Sequence, residues 1–252
     1  DASWSRGLGD VYKRQVSIVA LIPARLDSTR LQKKMLKNIG GTPLIVKTFT
    51  NLINFKLFDE VAVITDSLEI STVLDKYSIK HFISKKIHDT GTDRIAEFVD
   101  SFDCEIIINV QGDEPFLKIN QIEKIIEVFN NDHKNEIDVV SLMIKIDKDT
   151  AKKSNVVKVS TDKNQFATKF TREFNPKSKN YFKHVGVYAF RKSALKRFSS
   201  TTQTINEKNE KIEAIRIVEN NFKFKMIQVY DETISIDTPF DLENANKYFL
   251  ND

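Results

Sequence analysis

A chain of 252 residues is long for one small domain but ordinary for a single α/β unit with an appended lobe. Hydrophobic residues make up 40% and charged residues 29% of it, and no apolar run approaches the roughly 20 residues of a membrane helix, which excludes membrane insertion. The formal charge of +4 is spread along the chain, with no basic tail and no aromatic-studded basic stripe, so nucleic acid is a poor partner.

Residues 1–15, DASWSRGLGDVYKRQ, hold the only tryptophan and two of the seven glycines and show no strand or helix period. They resemble translated library-adapter sequence, so they are set aside as non-native and a single domain is read over 16–252. VSIVALI at 16–22 is a β-branched run bounded by Pro23, the pattern of a buried parallel strand. The turn after it carries Arg25, Arg30, Lys33 and Lys34 with Ser28 and Thr29. Ligands of open α/β sheets bind beyond the carboxyl ends of strands, so this polycation predicts a bound polyanion; a solvated basic loop is the plainer alternative.

Strands and helices then alternate: helix 43–55, strand 60–65, helix 67–77, strand 80–84, helix 92–102, strand 105–110 and helix 119–131. Repeated βα winding predicts a mostly parallel sheet. From 139 the pattern changes to strands 139–146, 156–161, 166–170 and 184–190 without long helices between them, which predicts an antiparallel extension or flap. A helix at 207–219, a strand at 224–229 and a helix at 239–249 follow. The single cysteine, Cys104, lies in the apolar CEIIINV, away from any zinc-like spacing; a buried structural thiol and a reduced, cytoplasmic setting are expected.

VQGDEP at 110–115 follows the strand EIIINV, so Gln111, Asp113 and Glu114 are delivered to the same sheet edge as the basic turn. Acids beside a polycation suggest a divalent metal with a phosphate chain, since magnesium takes one or two carboxylates plus phosphate oxygens and water. IDTPFDL at 236–242 repeats the logic, and Asp113 facing Asp237 would make a cation clamp. In both segments the acids could instead cap helices opened by Pro115 or Pro239. HDTGTDRIAE at 88–97 offers Gly91 for close approach and Thr92 or Asp93 as a cap. His184 in HVGVYAF, with Glu213 and Arg216 in EKIEAIRIVE, has no role that spacing alone assigns.

In order, IPARLDSTRL, GTPL, VITD, TGTDRIAE, VQGDEP, HVGVYAF, IEAIRIVE and IDTPFDL resemble the 3-deoxy-manno-octulosonate cytidylyltransferase family, the CMP-Kdo synthetases, over residues 16–249. The resemblance implies a Rossmann-like nucleotidyltransferase with a mostly parallel central sheet flanked by helices and a smaller antiparallel extension. It also implies a homodimer that transfers CMP from CTP to the anomeric hydroxyl of Kdo, an acidic ulosonate, with Mg2+, for lipopolysaccharide biosynthesis. Position by position, Arg25 and Lys34 match the triphosphate-binding pair, with Ser28 and Arg30 in the same substrate-binding turn. Asp113 and Asp237 match the magnesium ligands, Gln111, Gly91 and Thr92 the nucleotide and sugar pocket, Arg172 a sugar-side arginine, and His184, Tyr188 and Glu213 the surroundings of the sugar acid.

The chain departs from the family in three places. LQKKML stands where the family reads LPGKPL, so Gln32, Lys33 and Met35 should loosen the turn and add charge. Ala214 follows Glu213 where the family has Gln, a change expected to shift sugar specificity. A short segment between Arg172 and His184 predicts a smaller substrate flap. The resemblance implies in-line attack by the sugar hydroxyl on the α-phosphorus, helped by positioning and charge neutralisation. Two rival readings are a cytidylyltransferase for a related acid, 8-amino-Kdo or a sialic type, and a nucleotide-binding protein without turnover.

Overall fold

The computed structural model describes residues 16–231 and 234–250, the side chains of 248–250 excepted; the segment 1–15 set aside above lies outside them. The strands are β1 (Ile18–Ala24), β2 (Asn38–Ile39), β3 (Thr42–Pro43), β4 (Glu60–Thr65), β5 (His81–Ile83), β6 (Ile106–Val110), β7 (Val139–Ile146), β8 (Lys158–Thr161), β9 (Ala167–Thr171), β10 (Tyr181–Arg191) and β11 (Phe224–Val229). The helices are α1 (Leu44–Phe55), α2 (Leu68–Lys76), α3 (Gly91–Ala96), α4 (Ile119–Asn131), α5 (Lys148–Lys152), α6 (Lys192–Ser199), α7 (Ile205–Glu210), α8 (Ala214–Glu219) and α9 (Pro239–Leu250).

Among the described residues the main sheet runs β11-β7-β10-β6-β1-β4-β5, with β8 and β9 hung on β10. β1 pairs parallel to β4 and β6, β4 to β5 and β7 to β11, whereas β10 is antiparallel to both β6 and β7. The strands from 139 onward therefore do not form one flap. Strands β7, β10 and β11 complete the main sheet, and the antiparallel extension is the β8–β9 hairpin.

The period of two in β1 explains why it sits at the centre. Ile18, Ala20, Ile22 and Ala24 pack into one core with Ile45, Ile122 and Ile125 of α1 and α4, while Val19 and Leu21 enter the opposite core with Ile95, Phe198 and Ile217 of α3, α6 and α8. A strand buried on both faces needs helices on both sides, which the βα winding supplies. Cys104 is a free, buried thiol that burial pushes up to about 11, consistent with a structural side chain.

Two predicted helices are interrupted. The helix read over 92–102 stops at Ala96 and resumes as a single 3-10 turn at Val99–Ser101, and Glu97 at the break leans toward Ser84 and His88. The helix read over 207–219 is split by Lys211, whose φ of 55° ends α7 and folds it back toward α8. That fold-back lets Glu207 on α7 reach Arg216 on α8 at 3.0 Å.

The sheet order places the reversal of winding between β1 and β6. The crevice beyond their carboxyl ends is where ligands of doubly wound sheets bind. Arg25 follows β1 and Gln111 follows β6 there.

Candidate active site

A cleft of about 620 Å³ opens at this edge. Arg25, Ser28, Arg30, Lys34, Gly91, Gln111, Asp113, Arg172, His184, Tyr188, Glu213 and Asp237 all line it. Thr92 does not: it is fully buried behind the wall, where its Oγ1 accepts from Asn109 Nδ2 (2.9 Å) and its N–H donates to Glu213 Oε2 (3.3 Å). Asn109 in turn accepts from Gln111 Nε2 (3.3 Å), so β6, α3 and the start of α8 orient one another through side chains.

Asp113 and Asp237, 124 positions apart in sequence numbering, meet at Lys34. Lys34 Nζ donates to Asp113 Oδ2 and lies 3.0 Å from Asp237 Oδ1, which Arg30 Nη2 also approaches at 3.2 Å. Burial by itself would lower the Lys34 pKa, but the two carboxylates outweigh it and hold the ammonium above its usual value. The convergence is built by the backbone: Ile236 N–H donates to Asp113 O (2.9 Å), and Ile236 packs with Leu31, Ile39 and Leu44. Asp237 is free of capping duty, because Thr238 Oγ1 accepts from Asp241 N (3.2 Å) and Asp241 Oδ2 accepts from Thr238 N (2.8 Å). No helix starts at Pro115 either, since α4 begins only at Ile119. In α3 the cap is Thr90, whose Oγ1 accepts from Asp93 N (3.1 Å), in place of Thr92 or Asp93. A Cβ on Gly91 would stand 3.0 Å from Pro23 Cγ and 3.3 Å from Gln111, so glycine here lets α3 press against the end of β1.

Two of the three turn residues that depart from the family pattern, Lys33 and Met35, are held by contacts, and Gln32 is exposed. Met35 is buried with its Sδ against Gly112, and Lys33 Nζ pairs with Glu69 at 2.6 Å. Lys33 occupies the position of the family glycine and adopts φ 51°, a left-handed conformation that costs a side-chain-bearing residue about 1 kcal/mol. Lys33→Gly is therefore expected to raise the unfolding free energy by roughly 0.5–1 kcal/mol in urea titration, with Lys33→Ala gaining nothing. Equal gains from Ala and Gly would rule out backbone strain as the cause.

On β10, His184 is buried and its pKa is pushed down to about 3 from 6.5, by burial first and Lys183 second. The Ser141 hydroxyl donates to Val187 O (2.5 Å), so toward His184 it accepts, and Nε2 (3.0 Å) carries the imidazole proton. Below pH 6.5 the unfolded chain takes a proton that folded His184 refuses, so stability falls as pH drops from 6.5 toward 3. The expected penalty at pH 5 is about 2 kcal/mol. His184→Gln should show a correspondingly smaller drop in thermal stability between pH 7 and pH 5. A drop equal to that of the parent protein would refute the assignment. Beside His184, burial and then Glu213 raise the Tyr188 phenol pKa, and burial raises that of Glu213.

A cytidylyltransferase family model matches residues 19–232. Proteins named 3-deoxy-manno-octulosonate cytidylyltransferase from Christiangramia forsetii and Flavobacterium johnsoniae are 42% and 41% identical over 91% of this chain, covering 96% and 97% of their own lengths. The chain belongs to the 3-deoxy-manno-octulosonate cytidylyltransferase family. A solved CMP:2-keto-3-deoxy-manno-octonic acid synthetase complexed with CTP superposes with a TM-score of 0.86 at 29% identity, covering 93% of this chain and 99% of that one.

Within this cytidylyltransferase, three sequence expectations meet a different arrangement. Arg172 lines the cleft, and part of its guanidinium is bound to carbonyls: Nε to Glu210 O (3.1 Å) and Nη1 to Asn155 O (3.1 Å) and Ser154 O (3.4 Å). It pins the end of β9 to α7 and to the start of β8. Ala214 is fully buried in the core beside Ile215 and Ile217 and lies off the cleft wall. None of residues 173–182 lines the cleft; Phe174 stacks on Tyr181 (5.5 Å) and Tyr181 Oη donates to Asn175 O (2.8 Å), so this segment closes on itself.

Sequence reasoning passed over several wall residues. Lys183, Lys208 and Lys211 face the cleft, yet two of them sit on what reads as a solvated helix end, with no signal to separate them from surface lysines. His88 also lines it, its Nε2 held by Glu97 (2.8 Å) and Ser84 (3.1 Å); the quoted HDTGTDR motif contained that signal. Glu114 is buried beside the clamp, its carboxyl pushed up to about 8 by burial first and Asp113 second.

Proposed function

We propose that this protein transfers CMP from CTP to the anomeric hydroxyl of Kdo and releases pyrophosphate. The observation that carries the reading is the clamp of Asp113 and Asp237 around Lys34 at the crevice beyond β1 and β6, in a chain whose relatives of 41–42% identity bear that activity in their names. The anomeric oxygen forms a bond to the α-phosphorus as the bond to the bridging oxygen of pyrophosphate breaks, and the hydroxyl proton passes to water. Arg25, Arg30 and Lys34 would meet the phosphates and neutralise the leaving pyrophosphate. No protein nucleophile is needed, and positioning plus charge neutralisation carries the rate.

Asp113 and Asp237 would hold magnesium. Among the described residues no group of three or more His, Cys, Asp or Glu is arranged for a metal, and two convergent carboxylates suit an ion that takes its remaining ligands from phosphate and water. When bound, the ion supplies positive charge to the phosphate chain. Lys34 now spans both carboxylates, so its withdrawal to a phosphate is what would free their oxygens. The sugar acid would lie along β10 and the α7–α8 turn, against His184, Tyr188 and Glu213, with Lys183, Lys208 and Lys211 available to its carboxylate. A homodimer, a cytoplasmic setting and a place in lipopolysaccharide biosynthesis belong to the same reading. No described helix is long and apolar enough to cross a membrane, which suits it.

The test is pyrophosphate release from CTP and magnesium with Kdo, an 8-amino-Kdo analogue and a sialic acid in parallel. Release with Kdo is expected. Release with only another acid would move the substrate, and silence with all three alongside tight CTP binding would make the protein a nucleotide binder.

A further inference from the structure

Glu114 is a polar group in the cleft that its surroundings do not account for. It is 6% exposed and lines the cleft, yet its Oε2 is sealed in the interior without a hydrogen-bond partner, while its Oε1 is the oxygen beside Gly186. Its motif neighbours are all engaged: Gln111 on Asn109, Gly112 O on Thr48 Oγ1 (2.8 Å) and Asp113 on Lys34. A buried carboxyl oxygen without a partner destabilises the protein that carries it, so such a group calls for an explanation in function.

The strand facing it is shaped to leave room. The register of β10 against β7 slips between Val185 and Tyr188, and Gly186, within the slip, lies beside Glu114. A Cβ on Gly186 would lie 3.8 Å from Glu114 Oε1 and 3.5 Å from Gln111 Cγ, ordinary contact distances, so a side chain would fill space that glycine leaves open. The same strand carries Lys183, His184 and Tyr188 into the cleft. The space beside Glu114 thus adjoins the strand whose residues are assigned to the sugar.

We propose that Glu114 receives a hydroxyl group of the acceptor sugar beside Gly186 and thereby selects a polyhydroxylated acid. This rests on the transfer reaction proposed above. A buried carboxyl whose Oε1 meets a substrate hydroxyl discriminates strongly, because an acceptor lacking that hydroxyl leaves the group without this partner. The cost borne by the empty protein becomes selectivity in the complex.

The experiment compares Glu114→Met and Glu114→Gln with the parent protein in steady-state pyrophosphate release and in thermal unfolding without substrates. Met keeps the volume and removes the hydrogen bond, whereas Gln keeps an oxygen and a donor. For Glu114→Met the KM for Kdo should rise about tenfold or more, with the KM for CTP and the magnesium requirement unchanged, and the protein should melt at or above the parent temperature. Glu114→Gln should recover most of the lost affinity. An unchanged KM for Kdo in Glu114→Met, a raised magnesium requirement or a lowered melting temperature would each overturn the proposal, the last two by making Glu114 a metal ligand or a structural group. Parent protein that itself fails to turn over Kdo would refute the transfer reading, whereas active parent protein with an indifferent Met variant would refute this inference alone.

Discussion

Turnover of the Asp113→Ala protein is expected to fall at least about a hundredfold, and that of Asp237→Ala similarly, with the fold retained in both. The magnitude follows from removing a fixed charge aimed at a polyphosphate in a crevice partly shielded from water. Retention of the fold follows from the contacts that remain. Asp113 holds Ile236 through its backbone carbonyl and keeps that bond on truncation, and α9 is capped by Thr238 and Asp241 without help from Asp237. Each truncation leaves Lys34 one carboxylate, so a stability loss of about 1–2 kcal/mol is expected. Pyrophosphate release at saturating CTP and Kdo, repeated across a magnesium series, is the measurement. Asn at either position should shift the half-saturating magnesium concentration upward before it abolishes turnover, because an amide oxygen is a weaker ligand than a carboxylate. Wild-type rate at saturating magnesium in either alanine variant would remove that residue from the clamp.

What made the clamp legible was local: a buried apolar strand, then a turn rich in charge, at 22–36 and 110–115, whereas the strand expected before Asp237 is absent from the described residues, β11 ending at Val229. The strand period of two and the βα alternation place such turns at one edge of a sheet with no knowledge of the contacts. The sequence does not show that Lys34 stands between the two acids, because that depends on Ile236 packing against Leu31 and Leu44 across more than 190 residues. Nor does it show that Arg172 Nε and Nη1 bind the carbonyls of Glu210, Asn155 and Ser154, since backbone carbonyls carry no side-chain signature. The helix read over 207–219 is continuous by composition, and only the left-handed Lys211 divides it. Local propensity yields there to a buried ion pair, which is a tertiary contact.

That ion pair should have the largest effect on stability of any surface-remote charge in this wall. Arg216 is 2% exposed and grips Asp93 with both terminal nitrogens (3.0 and 2.7 Å), reaches Glu207 at 3.0 Å and stacks on the Phe198 ring at 4.0 Å. Through it α8 holds the first turn of α3 and the body of α7, and Thr92 stays set against Glu213. Arg216→Ala strands Asp93 and Glu207 without a buried counterion, and a loss of about 3–5 kcal/mol is expected in urea unfolding. Arg216→Lys should recover only part of it, because an ammonium can neither bridge both Asp93 oxygens nor stack flat on Phe198. The triple change Arg216→Leu, Asp93→Asn and Glu207→Gln should be more stable than Arg216→Ala, since the penalty comes from uncompensated charge more than from the lost pair itself. In the alanine variant the KM for Kdo should rise more than the KM for CTP, because the loosened wall is the one that carries the sugar-side groups. Equal stability of Arg216→Ala and the parent protein would show that the three helices are held by their apolar faces alone.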